Sequence, residues 1–205
     1  MSSTINFLLC GVGGQGTVLA SDVLVSVGMA AGYQAKQAEV HGMSQRGGSV
    51  TSFVRWGIIV HSPLVGLGEV DILLAFEKLE ALRNLNALRH DALAVINTQV
   101  VKPITVISGD KVYPDDDTLR AAFARVTPHV EFIDGEKVAS ELGNMRVANI
   151  VLLGALSAQL EQRDYSIPGL TTETWLKVIT ERVPAKHMEL NRKAFQKGRD
   201  AVSGE

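Results

Sequence analysis

The sequence INFLLCGVGGQGTVLASDVLV, residues 5–25, decides the fold because its character changes twice within a few positions. Residues 5–10 form a short apolar run of the kind found in buried strands, and the run ends abruptly in glycines. After Gly16, apolar side chains recur at helical spacing, at Val18, Leu19, Val23 and Val27. The stretch therefore predicts a strand, a tight glycine turn and a helix.

A glycine turn between a strand and a helix is typical of sites that bind phosphate groups. Glycines let the backbone approach a ligand closely, and the amides at the helix N-terminus can face an anion, typically a diphosphate. The predicted cofactor contacts are Gly11, Gly13, Gly14, Gln15 and Gly16. Two alternatives stay open, a turn that serves only close helix–sheet packing and a dinucleotide site.

An ordinary dinucleotide site needs an acidic residue about 20 positions further on, at the end of the second strand. Glu39 is the candidate, but residues 35–39 are polar and mixed and do not form an apolar strand. An NAD or FAD site is therefore the weaker of the ligand hypotheses.

The second unusual segment is EVHGMSQRGGS, residues 39–49, which is too polar for a protein core. Glu39, His41, Ser44 and Arg46 are the catalytic candidates, and Gln45, Arg46 and Gly47 are predicted ligand contacts. The guanidinium of Arg46 offers two parallel donors to an anionic or carbonyl-bearing ligand, and the glycines allow close approach. The alternative is an ordinary polar turn that leads into a strand starting at Ser49.

Composition limits the possible functions. The chain has 205 residues, 46% of them hydrophobic and 20% charged, which is the balance of one ordinary domain over residues 1–205. Twenty basic against 22 acidic residues give a net charge of -2, so we expect no nucleic-acid partner. The single cysteine, Cys10, excludes an internal disulfide and, with no His or acidic cluster, predicts no metal or iron–sulfur site.

Residues 1–21 carry no charged side chain, but they lack a basic start and are interrupted by glycines. We expect neither a targeting segment nor a membrane span, and a cytoplasmic location.

The rest of the chain alternates strand and helix patterns. Strands are predicted at residues 49–60 (a hairpin or bulged pair broken at Gly57), 70–76, 93–97, 104–107 and 130–133. Helices are predicted at 77–89, at 118–126, between a cap at Asp134 and Gly143, and at 145–160. Two further helices are predicted across 171–198 as a C-terminal appendage. The fold class is α/β, a Rossmann-like, mostly parallel sheet with flanking helices and a C-terminal helical tail. Glu77, Asn97 and Thr98 follow strands whose carboxyl ends share one edge, where ligands bind.

The glycine turn at 11–16 and the segment EVHGMSQRGG at 39–48 together resemble the gamma-type subunits of 2-oxoacid:ferredoxin oxidoreductases. The segment NTQVVKP at 97–103, the pair Tyr113-Pro114 and the ending around Asn191, Phe195 and Gly198 extend the resemblance over essentially the whole chain. Among these subunits, the chain is most similar to those that act on indolepyruvate.

The resemblance implies a complex that oxidatively decarboxylates indolepyruvate and other arylpyruvates to aryl-acetyl-CoA and passes electrons to ferredoxin. It places thiamine diphosphate, magnesium and the iron–sulfur clusters on a partner subunit, so this chain is expected to be active only in the complex. Coenzyme A is the expected co-substrate at this chain, with Ser44, Gln45 and Arg46 facing it or the thiamine site. A possible homodimer in isolation is compatible with this interpretation.

Two alternatives agree with the same residues. One is a gamma subunit that acts on pyruvate, 2-oxoglutarate or branched-chain oxoacids. The other is a stand-alone nucleotide-binding module, which predicts a stable monomer rather than exposed apolar surface and avid association.

Overall fold

A mixed, mostly parallel sheet forms the centre of the structure. The computed structural model describes residues 4–41, 48–163, 165 and 167–203, apart from the side chains of His41 and Ser203. The described strands lie in the order β2-β3-β1-β4-β5-β6. Their bounds are β1 Thr4–Val12, β2 Gln34–His41, β3 Ser49–Gly57, β4 Val70–Ala75, β5 Leu88–Asn97 and β6 Val130–Ile133. Strands β1, β4, β5 and β6 are parallel, and β3 is antiparallel to both β1 and β2.

Helices cover both faces of this sheet. Their bounds are α1 Thr17–Ala30, α2 Lys78–Arg83, α3 Ile104–Ile107, α4 Asp116–Ala124, α5 Gly135–Glu141, α6 Ala148–Gln162, α7 Thr172–Arg182 and α8 Met188–Ser203, with 3-10 turns at Leu85–Ala87, Met145–Val147 and Ala185–His187. The predicted α/β class with flanking helices and a helical C-terminal tail is confirmed.

Successive side chains of the strands point to opposite faces of the sheet, and each face packs in its own hydrophobic core. Phe7 and Leu9 of β1 point into the larger core with α1 and α5 to α8, whereas Leu8 and Cys10 point into the smaller core with α2 and α4. Helix α1 after β1 and helix α2 after β4 therefore lie on opposite faces of the sheet. The chain leaves a crevice where such neighbouring parallel strands end, and ligands of open α/β sheets bind there.

Several predicted elements are confirmed at residue level. Asp134 accepts the backbone N–H of Lys137 at 2.9 Å and caps α5, as its position before an apolar-periodic run predicts. The segment 145–160 is helical and buried from Asn149 to Leu160, as its lack of a polar face predicts. Trp175 of α7 and Phe195 of α8 are buried in the larger core.

The structure corrects three predicted elements. Residues 49–57 form the single strand β3 rather than a hairpin, because β3 has a partner on each side; residues 58–60 lie outside the strand. Residues 104–107 form the helical turn α3 rather than a strand, and none of their side chains is buried in the sheet. The helix predicted for 77–89 ends at Arg83, because β5 already begins at Leu88 and Arg89 pairs with Asp71 of β4 at 2.9 Å.

The polar segment at 35–39 is also part of the sheet. It lies in β2, whose free edge needs no apolar side chains, so its polarity is that of an edge strand. Among the described helices, none has the length and apolar character needed to cross a membrane.

Candidate functional site

A cavity of about 470 Å³ opens at the carboxyl edge of the parallel strands, between the glycine turn and the start of α6. Its walls come from segments far apart in sequence: Gly14, Gln15, Gly16, Leu19, Phe76, Asn97, Gln99, Glu136, Met145, Arg146, Ala148, Asn149 and Leu152. The volume falls within the range of small-molecule sites. This crevice is where the sheet order predicts a ligand.

The glycine turn requires glycine for two different reasons. Gly14 and Gly16 have φ of +107° and +81°, a region that other residues rarely adopt. Gly11 has ordinary backbone angles, but a Cβ there would lie 2.7 Å from Gln15 Oε1 and 2.9 Å from Phe76 Cβ. The turn can therefore bring the start of α1 against the carboxyl end of β4.

Gln15 fixes the turn to the neighbouring strands. Its Oε1 accepts the Val12 N–H at 2.6 Å, and its Nε2 donates to the Phe76 carbonyl at 3.1 Å and to Gln99 Oε1 at 2.5 Å. The Gln99 amide in turn donates to Glu136. Gln15, Gln99 and Glu136 all line the cavity, and these hydrogen bonds connect them along its wall. Because the Gln15 amide oxygen and nitrogen both bond within the protein, Gln15 holds the turn in place. This role competes with its predicted role as a ligand contact.

Asn97 performs a similar task at the end of β5. Its Nδ2 donates to the Phe76 carbonyl at 3.1 Å and its Oδ1 accepts the Gly135 N–H at 3.1 Å. It lines the cavity, whereas the Thr98 N–H pairs with the Ile133 carbonyl. Of these two predicted edge residues, the structure brings Asn97 to the cavity.

Glu77 is the buried N-cap of α2. It is 1% exposed and accepts three hydrogen bonds: from the Glu80 N–H at 2.9 Å, the Val101 N–H at 3.0 Å and the Tyr113 hydroxyl at 2.5 Å. Burial raises the pKa of Tyr113, and the bond to Glu77 raises it further. Glu77 thus ties the segment after β5 to α2, and it does not line the cavity.

Cys10 lies below this cap, fully buried. Burial raises the pKa of its thiol well above the ordinary value, and the carboxylates of Glu80 and Glu77 add to the shift. A neutral thiol in this position packs as a small apolar side chain.

The C-terminal end of the polar segment 39–49 contacts the glycine turn and α2. The Gly13 N–H donates to the Gly48 carbonyl at 2.9 Å, and the Ser49 hydroxyl donates to Glu80 at 2.5 Å. The predicted site residues Ser44, Gln45, Arg46 and Gly47 lie outside the described residues, as does the side chain of His41. The backbone of His41 ends β2 opposite Val50.

Glu39 lies away from the cavity, on the exposed edge strand β2. Its carboxylate accepts a hydrogen bond from Gln37 Nε2 at 2.7 Å. Strand β3 separates β2 from β1, so Glu39 does not occupy the place beside β1 that the acid of a dinucleotide site takes.

The 3-10 turn Met145–Val147 and the start of α6 supply a cavity wall that the sequence does not predict. Arg146 and Asn149 both line it, and Asn149 is only 5% exposed. Asn149 precedes the apolar run at 150–156, where a buried polar side chain is a signal for a special role, but nothing local shows that it faces the glycine turn. No group of His, Cys, Asp and Glu side chains among residues 4–41, 48–163 and 167–203 is arranged to hold a metal ion.

Comparison with known proteins settles the family. Residues 6–201 match the model of the family described as pyruvate ferredoxin/flavodoxin oxidoreductase. The chain belongs to this family. The match covers almost the whole chain, so the predicted kinship with 2-oxoacid:ferredoxin oxidoreductase subunits is confirmed.

Individual relatives agree with this membership. The protein named indolepyruvate oxidoreductase subunit IorB from Thermococcus kodakarensis is 38% identical over 196 residues, which cover 94% of this chain and 93% of the relative. Relatives from three further organisms, 32% to 38% identical, carry the same name.

Solved structures show the same fold. The gamma subunit of a keto/oxoacid ferredoxin oxidoreductase from Geobacter sulfurreducens superposes with a TM-score of 0.68 at 24% identity, covering 98% of this chain and 99% of that one. The 2-oxoglutarate:ferredoxin oxidoreductase of Magnetococcus marinus, solved with 2-oxoglutarate, coenzyme A and succinyl-CoA, gives a TM-score of 0.72 at 20% identity. The whole of this chain aligns with 32% of the length of that protein.

Proposed function

We propose that this chain is the non-thiamine subunit of an indolepyruvate ferredoxin oxidoreductase. The complex would convert indolepyruvate and other arylpyruvates, with coenzyme A, to aryl-acetyl-CoA and carbon dioxide, and would pass the electrons one at a time to ferredoxin. The observation that carries the proposal is the similarity of nearly the full chain to four proteins named as subunits of indolepyruvate oxidoreductase.

The preference for arylpyruvates over other oxoacids has a narrower basis. The structural neighbours whose names refer to pyruvate or 2-oxoglutarate are 18% and 20% identical, well below the relatives named for indolepyruvate. Pyruvate, 2-oxoglutarate and branched-chain oxoacids are the alternative substrates, and dye reduction by the purified complex with each oxoacid in turn separates them.

The donor set of this chain argues for thiamine diphosphate on a partner. Magnesium at a diphosphate is held by one or two carboxylates together with the phosphates, and the sequence contains no Gly-Asp-Gly segment followed by Asn of the kind that binds it. The segment Gly109-Asp110-Lys111 lies in an exposed turn rather than in a site. Thiamine diphosphate, bound by the partner, supplies the decarboxylation chemistry.

Within the complex, this chain would bind coenzyme A and complete the active site. Gly14 and Gly16 of the turn line the cavity at the N-terminus of α1, whose first turn contains no acidic residue and no side-chain cap. An anion there interacts favourably with the helix dipole and the open amides. The polar segment that contains Ser44, Gln45 and Arg46 would approach from the side of Gly48.

An exposed apolar segment that follows β5 supports association with a partner. Ile104, Ile107 and Val112 follow β5 at the carboxyl edge and are 82%, 72% and 92% exposed. Three large apolar side chains this exposed within nine residues are typical of a binding surface. A partner that covers them would contact the segment that follows β5.

Anaerobic purification of the tagged chain from its native extract tests the proposal. We expect a large thiamine- and iron–sulfur-containing subunit to copurify, together with dye reduction that depends on arylpyruvate. Ile104→Asp should weaken the association, whereas Ile58→Asp, a similarly exposed residue just after β3 at the opposite edge, should not. Recovery of the chain alone, bound to a dinucleotide and without oxoacid oxidation, would favour the stand-alone nucleotide-binding module.

A further inference from the structure

We propose that the free edge of β2 is a self-association surface, at which two copies of this chain pair antiparallel and join their sheets into one. The two-fold axis of the dimer passes through Gln37, so each β2 covers the edge of the other. The inference concerns strand β2 and its surroundings alone, and it depends neither on the oxoacid nor on the ligand of the cavity at the glycine turn.

Strand β2 is an edge strand without the usual protection. It spans Gln34–His41, eight residues in a continuous antiparallel register with β3. Among the described residues, backbone hydrogen bonds connect β2 to β3 alone. Natural edge strands are short, bulged or interrupted by proline, because an open row of N–H and C=O groups pairs with other chains. The opposite edge strand, β6, follows this rule with only four residues, Val130–Ile133.

The charges of β2 restrict the pairing of two copies. In a symmetric antiparallel pair the axis passes through one residue, which faces its own copy, because directly opposite side chains lie on the same face of the sheet. An axis at Lys36 or at Glu39 would place two like charges face to face. With the axis at Gln37, Lys36 faces Ala38 of the second copy and Glu39 faces Ala35, so like charges do not oppose each other.

The two ends of β2 have complementary apolar surface. Val40, near the C-terminal end, is 54% exposed. A cavity of about 510 Å³ lies beside the N-terminal end, with Met29, Tyr33 and Ile58 among its walls. Ile58 is itself 76% exposed. In an antiparallel dimer the C-terminal end of each β2 lies beside the N-terminal end of the other, so Val40 and the cavity meet twice.

This apolar contact favours the axis at Gln37 over an axis at Ala38. The axis at Gln37 places Val40 of each copy directly opposite Gln34 of the other, and Gln34 lines the cavity. An axis at Ala38 would instead place Val40 opposite Lys36, two residues further from the cavity. The surface thus combines backbone pairing along the edge with burial of exposed apolar side chains at both ends.

Sedimentation equilibrium of the purified full-length chain measures the self-association. We expect a dimer that Ile58→Asp weakens. Ala38→Lys places a second positive charge opposite Lys36, twice per dimer, and should raise the dissociation constant of the dimer about fivefold to tenfold. Ala38→Glu places a negative charge opposite the same lysine and should lower that constant about twofold to fivefold.

Two controls separate this charge effect from damage to the fold. The difference between the two Ala38 variants should shrink in about 1 M sodium chloride, which screens exposed charges. The same two substitutions at Ala121, an exposed residue of α4, should leave the dissociation constant unchanged. Ile104→Asp, at the surface assigned to the thiamine-containing subunit, should leave it unchanged as well.

Oxidative cross-linking tests the position of the axis. Cys10 is the only cysteine of the chain and is fully buried, so an introduced surface cysteine is the only accessible thiol. Directly opposite residues of an antiparallel pair have Cα atoms about 4.5–5.5 Å apart, within the range of a disulfide. Copper phenanthroline should therefore cross-link Gln37→Cys rapidly and Ala121→Cys slowly. Faster cross-linking of Ala38→Cys would support the edge as the interface and overturn the axis at Gln37.

Two outcomes overturn the proposal itself. One is that the purified chain sediments as a monomer at all concentrations; protection of the β2 amides from hydrogen exchange on addition of the thiamine-containing subunit would then assign the edge to that subunit. The other is a dimer whose dissociation constant is the same in both Ala38 variants and that Gln37→Cys does not cross-link. Neither outcome depends on oxoacid oxidation, so this inference and the proposed function can fail separately.

Discussion

Replacing Gly16 by alanine should destabilise the chain through a clash that a second substitution relieves. The new Cβ would lie 2.5 Å from Asn149 Nδ2 and 3.2 Å from Asn149 Cγ, whereas Asn149 Cβ is at an ordinary contact distance of 3.5 Å. Gly16→Ala therefore carries two costs, the positive φ of +81° and the displacement of a buried side chain.

The two costs can be separated in magnitude. Left-handed backbone costs alanine about 1–2 kcal/mol. Displacement of Asn149 adds about 1–2 kcal/mol, because it strains packing and breaks the bond from the Ile150 N–H to Oδ1. In an Asn149→Ala background the second cost disappears, so the double variant should be about 1–2 kcal/mol more stable than the sum of the single effects predicts.

Urea unfolding of the four chains measures this coupling. Gly14→Ala is the matched control: its φ of +107° also strains alanine, but its Cβ would meet nothing within 4 Å. It should therefore be additive with Asn149→Ala within about 0.5 kcal/mol. Additivity at Gly16 as well would refute the close contact between α6 and the glycine turn, on which the cavity wall depends.

Three further predictions concern the buried groups beside the cavity. Glu77→Gln should destabilise the chain by about 1–3 kcal/mol, because a single amide oxygen cannot replace the carboxylate that accepts from Glu80, Val101 and Tyr113. The control Glu141→Gln, at the exposed end of α5, should change the urea midpoint little. Equal changes of the midpoint in both variants would contradict the role of Glu77 as a buried cap. The folded state raises the pKa of Tyr113, so the neutral hydroxyl contributes fully to stability below pH about 10, where the unfolded tyrosine titrates, and this contribution is lost as the pH rises further. The free energy of unfolding should therefore fall less steeply above that pH in Tyr113→Phe than in the wild type. The same dependence on pH in both chains would argue against the raised pKa. Cys10, fully buried with a raised thiol pKa, should resist iodoacetamide in native buffer and react on unfolding in urea, so labelling of the native chain at the unfolded rate would contradict its burial.

The sequence predicts those parts of the fold that depend on local signals. The glycine turn, the cap at Asp134 and the buried helix after Met145 each follow from a few neighbouring residues. Strand β2 shows no such signal, because an edge strand needs no apolar alternation. The apolar residues at 104–107 wrongly predict a buried strand, since Ile104 and Ile107 are exposed rather than packed in the sheet.

The candidate site is predictable only in part for the same reason. Gly14, Gly16 and Asn97 were found from the turn and from the strand ends, and all three line the cavity. Arg146 and Asn149 come from a segment about 130 residues further along, and only the packing of α6 against α1 brings them to the turn. The roles of Ser44, Gln45, Arg46 and Gly47 in ligand binding stay predictions.

Reconstitution with the partner subunit tests the central proposal most directly. The thiamine- and iron–sulfur-containing subunit, prepared without this chain under anaerobic conditions, is assayed for ferredoxin reduction with indolepyruvate and coenzyme A, before and after the purified chain is added. We expect little activity without the chain, restoration on its addition, and a higher kcat/KM for indolepyruvate than for pyruvate or 2-oxoglutarate. Full activity of the partner alone, or no activity with any oxoacid after both are combined, would contradict the central proposal.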